Sequence, residues 1–115
     1  TEDVFHKNLT AIIHTFSLEA FIDTLPDGLD SYAGIHGSKL SGGQKQVLWL
    51  IKAFIDDPEI LLLDEPTSSL QDSFKPKLLE MLFAFIEKPE KTIVLTTHDP
   101  YLREHLKDKI DIDTL

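Results

Sequence analysis

The chain has 115 residues, 42% of them hydrophobic, which suffices for one domain or part of one and leaves no length for a second independent core. Its formal charge of −9, from 11 basic and 20 acidic residues, argues against a nucleic-acid or anionic-membrane surface, since both select clustered Lys and Arg. With no cysteine, a disulfide framework and a thiolate metal site are excluded, and the composition fits a reducing, cytosolic environment.

From Asp3 to about Phe16 the apolar residues Val4, Phe5, Leu9, Ile12, Ile13 and Phe16 recur at helical spacing. Ser17 then offers a cap for a short second helix, Leu18 to Thr24. The acidic opening Thr1-Glu2-Asp3 carries no signal-peptide pattern. Leu25-Pro26-Asp27-Gly28 is a turn signal, followed by a loop to Lys39 that contains Gly34 and Gly37. Ser41 opens a long helix to about Ile55 whose apolar residues cover most faces, which predicts burial. The longest apolar run, Val47 to Ile51, stops at Lys52 and falls far below the roughly 20 residues of a membrane-spanning helix, so any membrane link is expected through a partner or a further segment.

Asp56-Asp57-Pro58 ends that helix, and Ile60-Leu61-Leu62-Leu63 reads as a strand covered on both faces. A helix over about Ser73 to Ile86, a turn at Pro89 to Lys91, a β-branched strand Thr92 to Thr96 and a helix from about Pro100 to Leu106 complete the chain. Strand, helix, strand, helix implies an α/β fold with a parallel sheet, in which functional groups gather at the carboxyl ends of the strands. Asp64, Glu65 and His98 lie at those ends.

Ser41-Gly42-Gly43-Gln44 stands where a loop becomes a helix, so free amides and the positive end of the helix dipole can meet an anion. The alternative is a capping box, because Ser followed three residues later by Gln satisfies the helix end without a ligand. Asp64-Glu65 at a strand end is either a solvated turn or a pair of carboxylates for metal and water. His98 is either a packed residue at a helix start or a donor to phosphate oxygen. His6, His14, His36 and His105 have no comparable context.

Taken together, Leu40-Ser41-Gly42-Gly43-Gln44 with Lys45-Gln46 behind it, Ile60 to Glu65 continuing into Pro66-Thr67-Ser68, and Thr96-Thr97-His98-Asp99 resemble the nucleotide-binding domain of ATP-binding cassette transporters, its C-terminal half. The resemblance implies a partial P-loop NTPase-like parallel sheet with flanking helices plus a helical subdomain segment. Residues 1–56 would form the helical and signature segment, and 57–115 the Walker B and switch-histidine segment. It further implies ATP and Mg²⁺ as ligands. Ser41, Gly42, Gly43 and Gln44 would contact nucleotide on an opposite subunit, Asp64 would help hold Mg²⁺, Glu65 would act on the attacking water, and His98 would contact the γ-phosphate. Implied partners are a second nucleotide-binding domain in a head-to-tail dimer and transmembrane domains, at the cytoplasmic face of a membrane. Leu25-Pro26-Asp27-Gly28 through Gly34 and Gly37 resembles the loop with which exporter-type cassettes meet their transmembrane partner.

The sequence departs from the pattern in three places. Gln71 stands where the D-loop, Ser68-Ser69-Leu70-Gln71, ends on an acidic residue, with Asp72 one place later. Val47 replaces a basic residue after the signature, and Ile35 an acid in the preceding loop. No Gly-Lys pair occurs anywhere, so the phosphate loop Gly-x-x-x-x-Gly-Lys-Ser/Thr is not in this sequence. The expectation is a segment of an ATP-hydrolysing transporter subunit that is inactive by itself. A non-catalytic module completing a partner cassette's site in trans, and an inactive remnant, are the alternatives.

Overall fold

Helices form where the 3.6-residue periodicity runs, and the two strands where β-branched or continuous apolar runs lie between turn residues. The computed structural model describes residues 2–26, Gly28 and 40–106. The elements are α1 (Glu2–Thr15), α2 (Glu19–Asp23), α3 (Gly42–Asp56), β1 (Ile60–Asp64), a short 3₁₀ turn (Asp72–Phe74), α4 (Lys75–Ile86), β2 (Thr92–Thr96) and α5 (Pro100–Leu106). Gly34, Ile35, His36 and Gly37, and with them the exporter-type loop, lie outside the described residues.

Ser17 does not cap α2. Leu18 occupies the cap position, with no side-chain cap bond. Ser17 instead adopts a left-handed φ of 54° and closes α1, its N–H donating to the His14 carbonyl at 3.2 Å while the Leu18 N–H donates to Ile13 at 2.8 Å. Ending the longer helix satisfies its last carbonyls, a demand that outweighs the side-chain cap of a five-residue one.

Ser41 does cap α3. Its Oγ accepts from the Gln44 N–H at 3.1 Å, and Gln44 Oε1 accepts from the Ser41 N–H at 2.9 Å, a complete capping box. At the other end Asp57 takes φ 49°, and Lys91 secures that turn from across the chain. The Lys91 amino group reaches the carbonyls of Asp57 at 2.8 Å and Pro58 at 2.9 Å and the Asp57 carboxylate at 3.2 Å, and lies 5.5 Å from the Phe85 ring centre. Lys91 first and Lys88 second hold the Asp57 carboxyl below its ordinary range.

β1 and β2 pair in parallel, Ile60 with Thr92 through Asp64 with Thr96, and α4 makes the connection between them. Val47, Leu48, Leu50, Ile51 and Phe54 of α3 share one core with Leu9 and Ile13 of α1 and Leu78, Leu79, Met81, Leu82 and Phe85 of α4. Phe54 meets Phe85 edge-on at 5.7 Å. Burying side chains of this size is worth roughly 1.5 to 3 kcal/mol each, so the helix faces hold the sheet in place.

Two expectations of burial need correction. Trp49 is 54% exposed on α3, so that helix has an open side. β1 is covered on one face: Leu61 is buried, whereas Ile60 and Leu62 are 58% and 71% exposed and Val94 of β2 joins them at 48%. Alternation along a pleated strand sends Ile60 and Leu62 to the face opposite Leu61, which stays largely open. A continuous apolar run therefore identified the strand but not how many of its faces this chain covers.

Candidate functional site

Parallel pairing in register brings Asp64 beside Thr96 at the carboxyl ends of both strands. The Thr96 hydroxyl donates to Asp64 Oδ1 at 2.5 Å. The next residue, Glu65, extends the ladder by one rung: its N–H donates to the Thr96 carbonyl at 2.9 Å. The chain then turns sharply, and Glu65 adopts φ 48°, left-handed for a residue with a side chain. Such a conformation costs roughly 1 to 3 kcal/mol and persists where neighbours hold it. Here its carbonyl accepts from the Ser68 N–H at 3.2 Å and from Gln46 Nε2 at 3.1 Å.

The turn directs the Glu65 side chain toward the end of β2. Its Oε2 accepts from the His98 N–H at 3.4 Å, and His98 Nε2 stands 3.8 Å from Oε1. The His98 ring is 94% exposed and the Glu65 side chain 35%, so both can meet a ligand without rearrangement of the core. Asp64, Glu65 and His98 thus converge on one edge of the sheet.

Ser41 to Gln44 form a separate group at the start of α3. The Ser41 and Gln44 side chains each accept from the other residue's backbone N–H, and Gln44 Nε2 also donates to the Thr24 carbonyl at 3.2 Å. The capping box is therefore real. It uses the Gln44 amide, while Gly42 and Gly43 supply the other donors of the first turn. The route from this group to the carboxylates runs through the loop after Glu65. A Cβ built on Gly43 would lie 2.5 Å from the Ser69 carbonyl oxygen, and the Ser69 N–H donates to Gln46 Oε1 at 3.0 Å.

Four residues to which the sequence assigned no individual role support the site. Thr96 engages Asp64, as described. Asp99 joins three segments next to His98: it pairs with Lys75 of α4 at 2.9 Å, accepts from Thr67, and takes the Tyr101 N–H at 2.9 Å at the start of α5. Lys75 also reaches Asp72 at 3.0 Å. The Asp-Pro pair at 99–100 was the available signal, since Asp at the cap with Pro at the first helical position is a common helix start. Thr67 and Lys75 carry no such local signal.

Burial alone would raise the Asp99 carboxyl, but hydrogen bonds from Lys75, Thr67 and the Tyr101 amide outweigh it and bring the group below its ordinary 3.8. The same pair raises Lys75, through Asp99 first and Asp72 second. A lowered acid binds fewer protons folded than unfolded, so its stabilisation is fully present above pH 3.8 and is lost as pH falls through the folded value. Asp99→Asn is expected to lower melting temperature at neutral pH and to flatten its fall below about pH 4, read from melts at a series of pH values. An unchanged acid limb would remove Asp99 from that dependence.

Among the described residues no group of three or more His, Cys, Asp or Glu is placed to hold a metal unaided, and no helix is long and apolar enough to cross a membrane. A family model described as "AAA domain, putative AbiEii toxin, Type IV TA system" matches residues 32–104. Multidrug resistance protein 1 of Plasmodium falciparum (isolate 3D7) is 40% identical over 98 residues, 84% of this chain and 7% of that protein. ABC transporter B family member 21 of Arabidopsis thaliana is 60% identical over 50 residues, 44% of this chain and 4% of that protein. The ABC multidrug transporter MDR1 of Cryptococcus neoformans var. grubii is 39% identical over 94 residues, 82% of this chain and 7% of that protein. The chain spans less than a tenth of the length of each of these relatives.

Proposed function

Because this chain belongs to the ATP-binding cassette ATPases, and its residues 32–104 match a model of an AAA-type domain, we propose that its parent polypeptide hydrolyses ATP to drive transport across a membrane. The observation that carries the reading is the meeting of Asp64, Glu65 and His98 at the carboxyl ends of two parallel strands. In this reading residues 1–56 are the helical and signature segment of a nucleotide-binding domain, and residues 57–115 are part of its P-loop NTPase-like sheet. The shared core and the α/β order support that assignment.

Each residue has work suited to its surroundings. Glu65, held on a sharp turn with its side chain partly exposed, orients the attacking water and takes its proton. His98, exposed beside it, donates to the phosphoryl oxygens of the nucleotide. The first-turn amides at Gly42 and Gly43, with Ser41 and Gln44 as their frame, face the phosphate of ATP held by a second nucleotide-binding domain in a head-to-tail dimer.

Asp64 and Glu65 put two carboxylates where triphosphate must approach, so the site needs a cation. Hard carboxylate oxygens suit Mg²⁺, which typically takes one or two of them and completes its shell with water and phosphate. Asp64 would hold the ion, largely through water, and when bound the ion would neutralise charge on the phosphates. Transmembrane domains, on the same or another chain, would place this machinery at the cytoplasmic face of the membrane. With no Gly-Lys pair among its 115 residues, the chain depends on a phosphate loop supplied from elsewhere and does not turn over ATP by itself.

The test is MgATP hydrolysis by the purified full-length parent in lipid. Wild type is expected to turn over, and His98→Ala to lose roughly 10²- to 10³-fold in kcat, the usual cost of removing one donor to developing charge. A parent without ATPase activity would sink the reading, and a fully active His98→Ala would remove the histidine from it.

A further inference from the structure

Gln46 lies on α3 two residues past the capping box, and its side-chain amide is used at both ends. Oε1 accepts from the Ser69 N–H at 3.0 Å, and Nε2 donates to the Glu65 carbonyl at 3.1 Å. The partners are 23 and 19 residues away in sequence, so the bridge joins α3 to both ends of the loop that follows β1. One end is the left-handed Glu65; the other is the residue whose carbonyl abuts Gly43.

We propose that Gln46 is a positioning residue, which holds the Glu65 backbone in its left-handed turn and so keeps the carboxylate aimed at the reacting water. The proposal rests on the reading of Glu65 given above. A terminal amide suits the task because it offers a donor and an acceptor at once. Without Nε2 the Glu65 carbonyl retains the Ser68 N–H, and a conformation disfavoured for a residue with a Cβ loses one of its restraints. Relaxation of φ by a few tens of degrees swings the carboxylate, while Ser41 to Gln44, held by their own cap, stay in place.

The Gln46 side chain thus ties the start of α3, where nucleotide phosphate would sit, to the backbone of the water-activating residue.

The experiment is steady-state ATPase kinetics on the full-length parent as wild type, Glu65→Gln, Gln46→Met and Gln46→Glu. Methionine removes both hydrogen bonds. Glutamate keeps the shape and the acceptor for Ser69 but loses the donor to Glu65. Both Gln46 variants are expected to lower kcat roughly ten- to hundred-fold, the scale of a small misplacement at a reacting centre. KM for ATP should stay within about twofold. Should Gln46→Met fail to fold, the isosteric Gln46→Glu decides. Wild-type kcat in Gln46→Glu with a dead Glu65→Gln overturns the proposal and leaves the role of Glu65 standing. A raised KM at unchanged kcat also overturns it, since the residue would then serve ATP binding. An active Glu65→Gln removes the premise, and the proposal with it.

Discussion

Glu65→Gln in the full-length parent will cut ATP turnover by roughly 10²- to 10⁴-fold while ATP binding persists. The substitution exchanges one carboxylate oxygen for an amide and leaves the backbone untouched. That backbone carries the geometry: the Glu65 N–H is held by Thr96 at 2.9 Å and its carbonyl by Ser68 and Gln46, none of which involves the side chain. The glutamine therefore stands where the glutamate stood, with an oxygen still available to the His98 N–H, and lacks the capacity to take a proton from water. Loss confined to kcat identifies proton removal. Equal loss of ATP binding would mean instead that Glu65 serves the metal or the phosphates, and unchanged turnover would remove it from the mechanism. Equilibrium binding of MgATP, measured beside steady-state hydrolysis, separates these outcomes.

Gly43→Ala will destabilise the protein and impair turnover, whereas Gly42→Ala will leave stability unchanged or slightly higher. Both glycines begin α3, where alanine is intrinsically favoured by roughly 0.5 to 1 kcal/mol. What separates them is Ser69. A methyl at Gly42 meets the Ser69 hydroxyl oxygen at 3.6 Å, an ordinary contact with a side chain that can rotate. A methyl at Gly43 would stand 2.5 Å from the Ser69 carbonyl oxygen, which belongs to the backbone and cannot turn away. Overpacking of this kind costs roughly 1 to 3 kcal/mol, more than the helix gains. The displacement is also passed to Gln46 through the Ser69 N–H, so activity should fall further than stability alone explains. Paired melting curves and ATPase assays of the two variants give the comparison; equal behaviour would show that the close approach at Gly43 is unimportant.

Local chemistry was legible where it was self-contained. The capping box at Ser41 and Gln44 needs only four consecutive residues, and it is present. Both strands were found because their composition has few alternatives, and their parallel pairing followed from the helix between them. The catalytic candidates were visible as the residues just past those strands, and Asp64, Glu65 and His98 do converge. Ser17 misled because a hydroxyl before a helix reads as a cap, although closure of α1 had the stronger claim on that residue. The open faces at Leu62 and Trp49 escaped notice because hydrophobicity says that a side chain favours burial, not that a partner for it lies in the same 115 residues. Gln46 and Asp99 act across the fold: Gln46 reaches Glu65 and Ser69, and Asp99 reaches Lys75 and Thr67, and no spacing in the chain announces contacts between residues so far apart in sequence.

Lys91 sits at the opposite ends of the strands from the carboxylates. A lysine ammonium has three protons to donate, and here three acceptors surround it: the carbonyls of Asp57 and Pro58 and the Asp57 carboxylate. With 12% of its side chain exposed, this amine is chemically masked as long as the fold is intact. Acylation there would take a charge and two protons from a turn that depends on them, so an enzyme or reagent that modifies lysines would reach Lys91 after the chain opens, not before. The residue carries a covalent record of whether the end of the sheet remote from Asp64 and Glu65 has ever come apart.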